Sequence, residues 1–310
     1  SALLGVWLPS VTHLRRPAAA MKRPAAALGE VIPGVKACWT FPAAPNAVMV
    51  DIFAREKGLD ISSLEHFVDL PSLENRSDEC LGMNPQGSVP WFVLANGTVL
   101  AETIAMMEYI EEQIPEPALV GSSAAERAVV RMWQRRMEEH YCIPSFYGHR
   151  NWCHSEDCPP DHFMKDFFGK RLTPHHGATV MPEGWRGWTN WARNKLAWLD
   201  RVKQEEAKKD GGKTTDYIAG DTVSMVDIQV YVVLWFFGDA FPHPPQTYLE
   251  DLKGQVPWLQ AWYDRMSARP AVVAAKEYRE KSLAEHITAQ SQTSKNADTV
   301  AAAKAAKTSE

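Results

Sequence analysis

The chain has 310 residues, of which 45% are hydrophobic and 23% charged, with a formal net charge of -5. Its length exceeds one typical domain, so two domains plus tails are expected. The charge leaves no basic block for nucleic acid, no apolar run is long enough to span a bilayer, and five scattered cysteines fit a reducing compartment better than a disulfide framework.

Residues 1–34 carry Arg15, Arg16, Lys22 and Arg23 against one acid, Glu30, and show no hydrophobic period. They read as a disordered extension, with an organelle transit peptide as the alternative; without such an address the chain is expected in the cytoplasm. Positions 35–40 predict a first strand, in which Cys38 lies between Ala37 and Trp39 as a buried, inert thiol. Positions 47–57 predict a helix stopped by Gly58, with Asn46, after Pro45, at or near its N-cap. A second strand follows over 64–69, and 71–78 reads as a polar surface stretch.

The runs 91–94 and 98–100 flank Asn96-Gly97 and predict a hairpin with a type I′ turn. Val89-Pro90 precedes the hairpin. A cis peptide there turns the chain sharply and leaves the Val89 backbone groups open to a ligand backbone. Glu102 then opens a helix carrying Ile104, Met107, Tyr109 and Ile110. The order β-α-β then β-β-α over 35–113 is that of a thioredoxin-like domain.

Ile114-Pro115-Glu116-Pro117 is read as an extended linker. Beyond it only helices are predicted, over 120–280. Ser123 and Glu126 form a capping box ahead of Val130, Trp133 and Met137, and Ser224 with Asp227 forms another ahead of an apolar helix, 228–237. Trp188, Trp191, Trp198 and Val202 recur near helical spacing; Pro257 starts a helix that Arg269-Pro270 ends. Residues 142–184 read as an insertion and 287–310 as a disordered tail.

Ser88-Val89-Pro90 before a hairpin, then Glu102-Thr103 opening a helix, then a capped and buried helix after Gly220, resembles the glutathione transferase family. The resemblance implies that family's fold: an α+β thioredoxin-like N-terminal domain followed by an all-α C-terminal domain. It assigns Val89 to the cysteinyl backbone of glutathione and Glu102 with Thr103 to its γ-glutamyl end, with Gln86, Ser88 and Pro90 alongside. Pro45-Asn46 resembles the branch with a Pro-Asn turn after the first strand, which makes Asn46 the group that polarises the sulfur. Ala44 stands where many members of that branch have Ser or Thr, and no Tyr, Ser or Cys occupies 41–46.

The activity implied is attack of the glutathione thiolate on an apolar electrophile held near His140, Tyr141 and Phe146. Glutathione is then a co-substrate, no other cofactor is implied, and a homodimer is expected. The rival is a catalytically weak or inactive transferase-like scaffold within a larger assembly. No metal is expected; Cys153, Cys158 and His162 offer an alternative zinc set in the insertion.

Overall fold

The computed structural model describes residues 31–162, 165, 180–209, 211–212, 214–240, 248–286 and 288. Four strands, β1 (Val35–Thr40), β2 (Glu65–Phe67), β3 (Trp91–Leu94) and β4 (Val99–Leu100), form one sheet in the order β2-β1-β3-β4. β1 runs parallel to β2 and antiparallel to β3, and β3 is antiparallel to β4. Successive side chains leave a strand on opposite faces, and a register shift between Val35 and Ala37 brings Val35 to the same side as Cys38. Val35, Cys38 and Phe92 join the helices α1 (Pro45–Glu56) and α3 (Thr103–Gln113) in one core. Trp39 and Trp91 stack on the other face, 5.6 Å apart, with Cys80 and Met83 of α2 (Asp78–Met83).

The strand, helix, strand, hairpin, helix order is the thioredoxin-like one expected, with local differences. α2 falls where only a polar surface stretch was expected to lead into the next strand, and its N-cap is Ser77, whose Oγ accepts the Cys80 N–H at 3.2 Å. The hairpin is not of type I′, which needs positive φ at both central residues. Only Gly97 has it, at 86°. Leu94 N–H donates to Thr98 O at 2.8 Å and Gly97 N–H to Leu94 O at 2.9 Å, the pattern of a three-residue loop with Gly97 as the left-handed bulge residue. The domain also starts before residue 35: Ile32 is fully buried and the Tyr109 hydroxyl donates to Pro33 O at 3.1 Å.

The second half of the fold is helical. α4 (Ala124–Met137) passes through a π-turn, Glu138–Cys142, into α5 (Ile143–His154), so the first part of the expected insertion is a continuing helix. α6 (Trp185–Lys209), α7 (Met225–Trp235), α8 (Tyr248–Asp251) and α9 (Pro257–Ser267) follow, and a tenth helix, α10, covers 270–286. Residues 163–164 and 166–179 of the expected insertion, 1–30 of the extension and 289–310 of the tail lie outside the described residues.

The two expected caps are built. Glu126 N–H donates to Ser123 Oγ and Ser123 N–H to Glu126 Oε2, each at 3.2 Å. Asp227 is fully buried, and its carboxylate accepts four donors: the Ser224 N–H, the Ser224 hydroxyl, the Ile218 N–H and the Trp262 indole. Burial pushes this carboxyl up and the hydrogen bonds hold it down. All eleven residues of α7 are buried, as an apolar helix without a polar face requires.

α10 begins at Pro270, which was expected only to end the preceding helix. It reaches back to the sheet through charges removed from water. Arg279, 3% exposed, pairs with Asp51 of α1 at 3.0 Å and with Glu65 of β2, while the Tyr278 hydroxyl donates to Glu65 at 2.6 Å. Arg269 forks onto Glu56 and also donates to the Tyr217 hydroxyl. Removing one partner of a buried network leaves the others uncompensated. Arg279→Met is expected to lose about 3–5 kcal/mol in urea unfolding, whereas Arg135→Met, whose pairs are exposed, stays within about 1 kcal/mol of the parent.

Candidate functional site

The register of the sheet brings the distant sequence motifs to one end. Trp39 pairs with Trp91 and Phe92 with Leu100. Continuing those pairings sets Val89-Pro90 beside the end of β1 on one side and beside Glu102 on the other. The turn after β1 belongs to the same place, since Phe41, Ala43 and Ala44 share an apolar cluster with Val89 and Ala101.

The Val89-Pro90 peptide is cis, as expected. No hydrogen bond among the described residues uses the Val89 N–H or C=O, so both remain available. The loop ahead of it is held by side chains that the sequence did not identify. Asn84 Nδ2 donates to Ser88 O at 2.8 Å, and its Oδ1 accepts the Gln86 N–H at 3.3 Å. Asn75 Nδ2 donates to Gly87 O at 2.7 Å, and Arg76 Nη1 to Gln86 O at 3.0 Å. Gly87 is needed at its position: its φ is +60°, and a Cβ there would meet Arg76 Nη1 at 2.7 Å and Asn75 O at 2.8 Å.

Arg76 adds a charge to the site. Its Nε and Nη2 are shielded from solvent and have no partner, and burial pulls its ionisation down from the usual arginine range. Its hydrogen bond among the described residues goes to Gln86 O, so the charge sits on the loop that leads to Val89. Its sequence context, a single cation in a polar run of otherwise acidic character, was the available signal.

Glu102 is the N-cap of α3 with φ 70° and ψ 114°, a conformation that non-glycine residues rarely hold. The carboxylate is exposed and caps nothing; the adjoining Thr103 is the first helical residue. The backbone is strained there, and the acid is left uncommitted at the start of α3.

The N-terminus of α1 completes the site. The N-cap is Ala44, not Asn46; Pro45 is the first helical residue and Asn46 the second. Ala47 and Val48 N–H both turn onto Ala44 O, at 3.0 and 3.2 Å. The Asn46 side chain is half-buried and makes no hydrogen bond among the described residues, so its amide is free to donate to an anion at the positive end of the helix. Thr40 is fully buried with an unpartnered hydroxyl, and Cys38, 1% exposed, has its thiol pushed well up, chiefly by burial.

The other expected residues do not form one lining. Tyr141 is fully buried in edge contact with Tyr248, Phe146 packs on Phe237 with ring centroids 5.2 Å apart, and His140 lies against Trp191 at 5.8 Å. These three sit on different faces because they are nearly consecutive on a helix. Among the described residues no three His, Cys, Asp or Glu side chains converge as a metal site. Cys153 Sγ lies 3.6 Å from His149 Nε2 and contacts the Cys158 thiol, while His162 stands edge-on to Trp152.

Both halves of the chain are similar to known proteins. Residues 43–113 match the family model "Glutathione S-transferase, N-terminal domain", and residues 192–265 match "Glutathione S-transferase, C-terminal domain". Glutathione S-transferase 2 of Saccharomyces cerevisiae is 30% identical over 247 residues, 78% of this chain and 89% of the relative. Protein LigF of Sphingobium sp. is 28% identical over 253 residues, 75% and 88% of the respective chains. A glutathione S-transferase domain-containing protein of Marinobacter aquaeolei VT8 superposes with a TM-score of 0.60 at 25% identity, covering 76% of this chain and 98% of its own.

The strain at Glu102 has a measurable consequence. Glu102→Gly is expected to raise unfolding stability by about 1 kcal/mol, because glycine holds positive φ freely, less its larger unfolded-state entropy. Glu102→Ala keeps a Cβ and is expected to bring no such gain in the same denaturant titration.

Proposed function

Because the chain belongs to the glutathione S-transferase family, we propose that it is a glutathione-dependent transferase whose thiolate attacks an apolar electrophile. The observation that carries this reading is the meeting, at one sheet end, of the Val89 backbone, the Glu102 carboxylate and the Asn46 amide, none of them hydrogen-bonded among the described residues, with the Arg76 guanidinium held by Gln86 O on the loop ahead of them. They match a tripeptide with a free amine, an extended backbone, a thiol and a carboxylate. Val89 pairs with the cysteinyl backbone. Glu102 and Thr103 take the γ-glutamyl end, where the ammonium meets the acid. Gln86, Ser88 and Arg76 take the glycyl carboxylate.

This pose sets the sulfur over the first turn of α1. A free thiol titrates near 8.5, and lowering it by about two units takes about 2.7 kcal/mol of preferential binding of the anion. A helix N-terminus supplies up to about 2 kcal/mol where it is partly buried, and one amide donor from Asn46 supplies the remainder. The thiolate then forms a carbon–sulfur bond with the electrophile. The displaced group leaves with its electron pair, or in an addition a proton from solvent completes the product. No second cofactor enters this scheme. The family supports a homodimer, which sedimentation would register as twice the chain mass.

Ala44 favours the scaffold reading to one specific extent, because it brings no hydroxyl to the sulfur. Calorimetric titration with glutathione separates the two. Binding in the micromolar to millimolar range, weakened about tenfold or more by Glu102→Ala and by Arg76→Gln, is the expected result. Absence of heat from the folded protein would overturn the transferase reading. Asn46→Ala is expected to leave binding nearly intact while raising the pKa of bound glutathione, read from thiolate absorbance against pH. Conjugation to an activated aryl halide should slow in step with that rise.

A further inference from the structure

The five cysteines are all free thiols, and two of them stand apart from the rest. Cys38 and Cys142 belong to the main core, and Cys80 to the cluster on the other face of the sheet. Cys153 and Cys158 share a small cluster of their own with Trp152 and Trp185. They lie between the two stretches that match the family models.

Local structure brings the two thiols together. α5 ends at His154, and its C-cap Ser155 is extended, with φ -79° and ψ 167°. The Ser155 hydroxyl and N–H both donate to Trp152 O, at 2.8 and 2.9 Å. The chain turns there, and the Cys153 thiol donates to that of Cys158. Two clips hold the loop. Lys165 Nζ donates to Ser155 O at 3.2 Å and to Cys158 O at 3.0 Å, while the Asp157 carboxylate accepts the Trp185 indole at 2.9 Å and Arg186 at 3.0 Å. Glu156, Asp157, Pro159, Pro160 and Asp161 are exposed, and Cys158 between them is fully buried. Opening of 156–161 presents that one sulfur to solvent.

Two thiols packed merely as small hydrophobes have no need of a cation and a base beside them. Burial pushes both thiols up, but the Lys165 ammonium pulls each of them down, and the hydrogen bond from Cys153 lowers Cys158 further. Cys158 is thus the readier thiolate, and the thiolate is the form that attacks. His149, one helical turn before Cys153, has Nε2 3.6 Å from the Cys153 sulfur, where an imidazole can take the proton that Cys153 must lose.

We propose that Cys153 and Cys158 form a peroxide-reactive dithiol that closes to an intrachain disulfide. The Cys158 thiolate attacks one oxygen of a hydroperoxide and the O–O bond breaks. The displaced alkoxide, or hydroxide from hydrogen peroxide, takes a proton, and Cys158 is left as a sulfenic acid. Cys153 gives its proton to His149 and attacks that sulfur; the S–O bond breaks, and the hydroxyl leaves as water with a proton. Two thiols and one hydroperoxide thus yield a disulfide, water and an alcohol, or a second water from hydrogen peroxide. The cysteines lose two electrons and the peroxide gains them. An external dithiol restores the pair by exchange. The site is separate from Val89 and Glu102 and does not rest on glutathione binding.

The test uses the full chain without glutathione. The folded chain is treated with hydrogen peroxide, quenched, denatured and alkylated with iodoacetamide. Trypsin, cutting after Arg150 and Lys165, then releases 151–165 with both cysteines in one peptide. That peptide is expected to be unalkylated and lighter by two hydrogen atoms than its reduced form, and to alkylate at both cysteines after dithiothreitol. Cys38, Cys80 and Cys142 are expected to alkylate throughout. Cys153→Ser should stop at the sulfenic acid, captured on Cys158 by dimedone, and His149→Gln should show the same capture in part. Full alkylation of 151–165 in the parent chain, at a dose and time that oxidise free cysteine completely, would overturn the proposal. Sulfinic or sulfonic acid on both cysteines without a disulfide would do the same. So would zinc that copurifies with the parent and is absent from Cys153→Ser and Cys158→Ser, because the thiols would then serve a metal.

Discussion

The interaction on which the architecture most depends is the buried pairing of Arg279 with Asp51 and Glu65. One guanidinium reaches from the last described helix to α1 and to the edge strand β2, elements more than two hundred residues earlier. Taking these charges out of water is costly, and desolvation is the leading influence on both carboxyls, pushing each of them up. Such a network is a poor source of net stability compared with apolar packing. What it provides is direction. A guanidinium accepts carboxylates only along its fixed fork, so the axis of α1 relative to β2 is determined more narrowly than by side chains that can slide. Arg55, on the same helix, holds the other oxygen of Asp51 at 2.9 Å. The N-terminus of α1, where an anion would be received, is thereby fixed from its far end.

The site itself is made largely from main chain and from groups left without partners. Asn84, Asn75 and Arg76 each donate a hydrogen bond to a carbonyl of 86–88. That loop is therefore rigid before any ligand arrives, which reduces the entropy lost on binding. Strain at Glu102 works in the same direction. Its backbone conformation costs stability, and its carboxylate does not cap α3. A residue in that position with relaxed dihedrals would satisfy the helix and be lost to the ligand.

What could be read from the sequence follows the range of the interactions concerned. Val89-Pro90, the Ser123 and Ser224 caps and the buried α7 depend on residues within four or five positions, and their signatures are local. The pairing of Glu102 with Val89 was legible only through family resemblance, since nothing local joins residues so far apart. α10 was missed because it is half exposed and its specificity lies in Arg279, whose partners are remote. The insertion was begun too early because Pro144 follows a π-turn: the extra residue in that turn accommodates a missing N–H that would otherwise break the helix. Arg76 could be seen as a cation, but its unsatisfied nitrogens belong to the folded loop alone.

Charge is used in opposite ways in two regions of the fold. Around Asp51, Glu65 and Arg279 every full charge has an opposite neighbour, and the region is closed to solvent. Around Arg136 and Lys195 the charges have none among the described residues and lie on aromatic rings. Both arrangements occur on helices of the same fold and cannot both be explained by stability, which favours neither a desolvated network over apolar packing nor a like-charge pair over a mixed one. The closed network sets the position of α1. The open pair is held by no opposite charge among the described residues, and neither are the Arg76 guanidinium and the Glu102 carboxylate. Asp227 shows the other extreme, a buried acid with four donors, and the contrast with an acid that has none among the described residues is the physical basis for the proposed ligand site at Glu102.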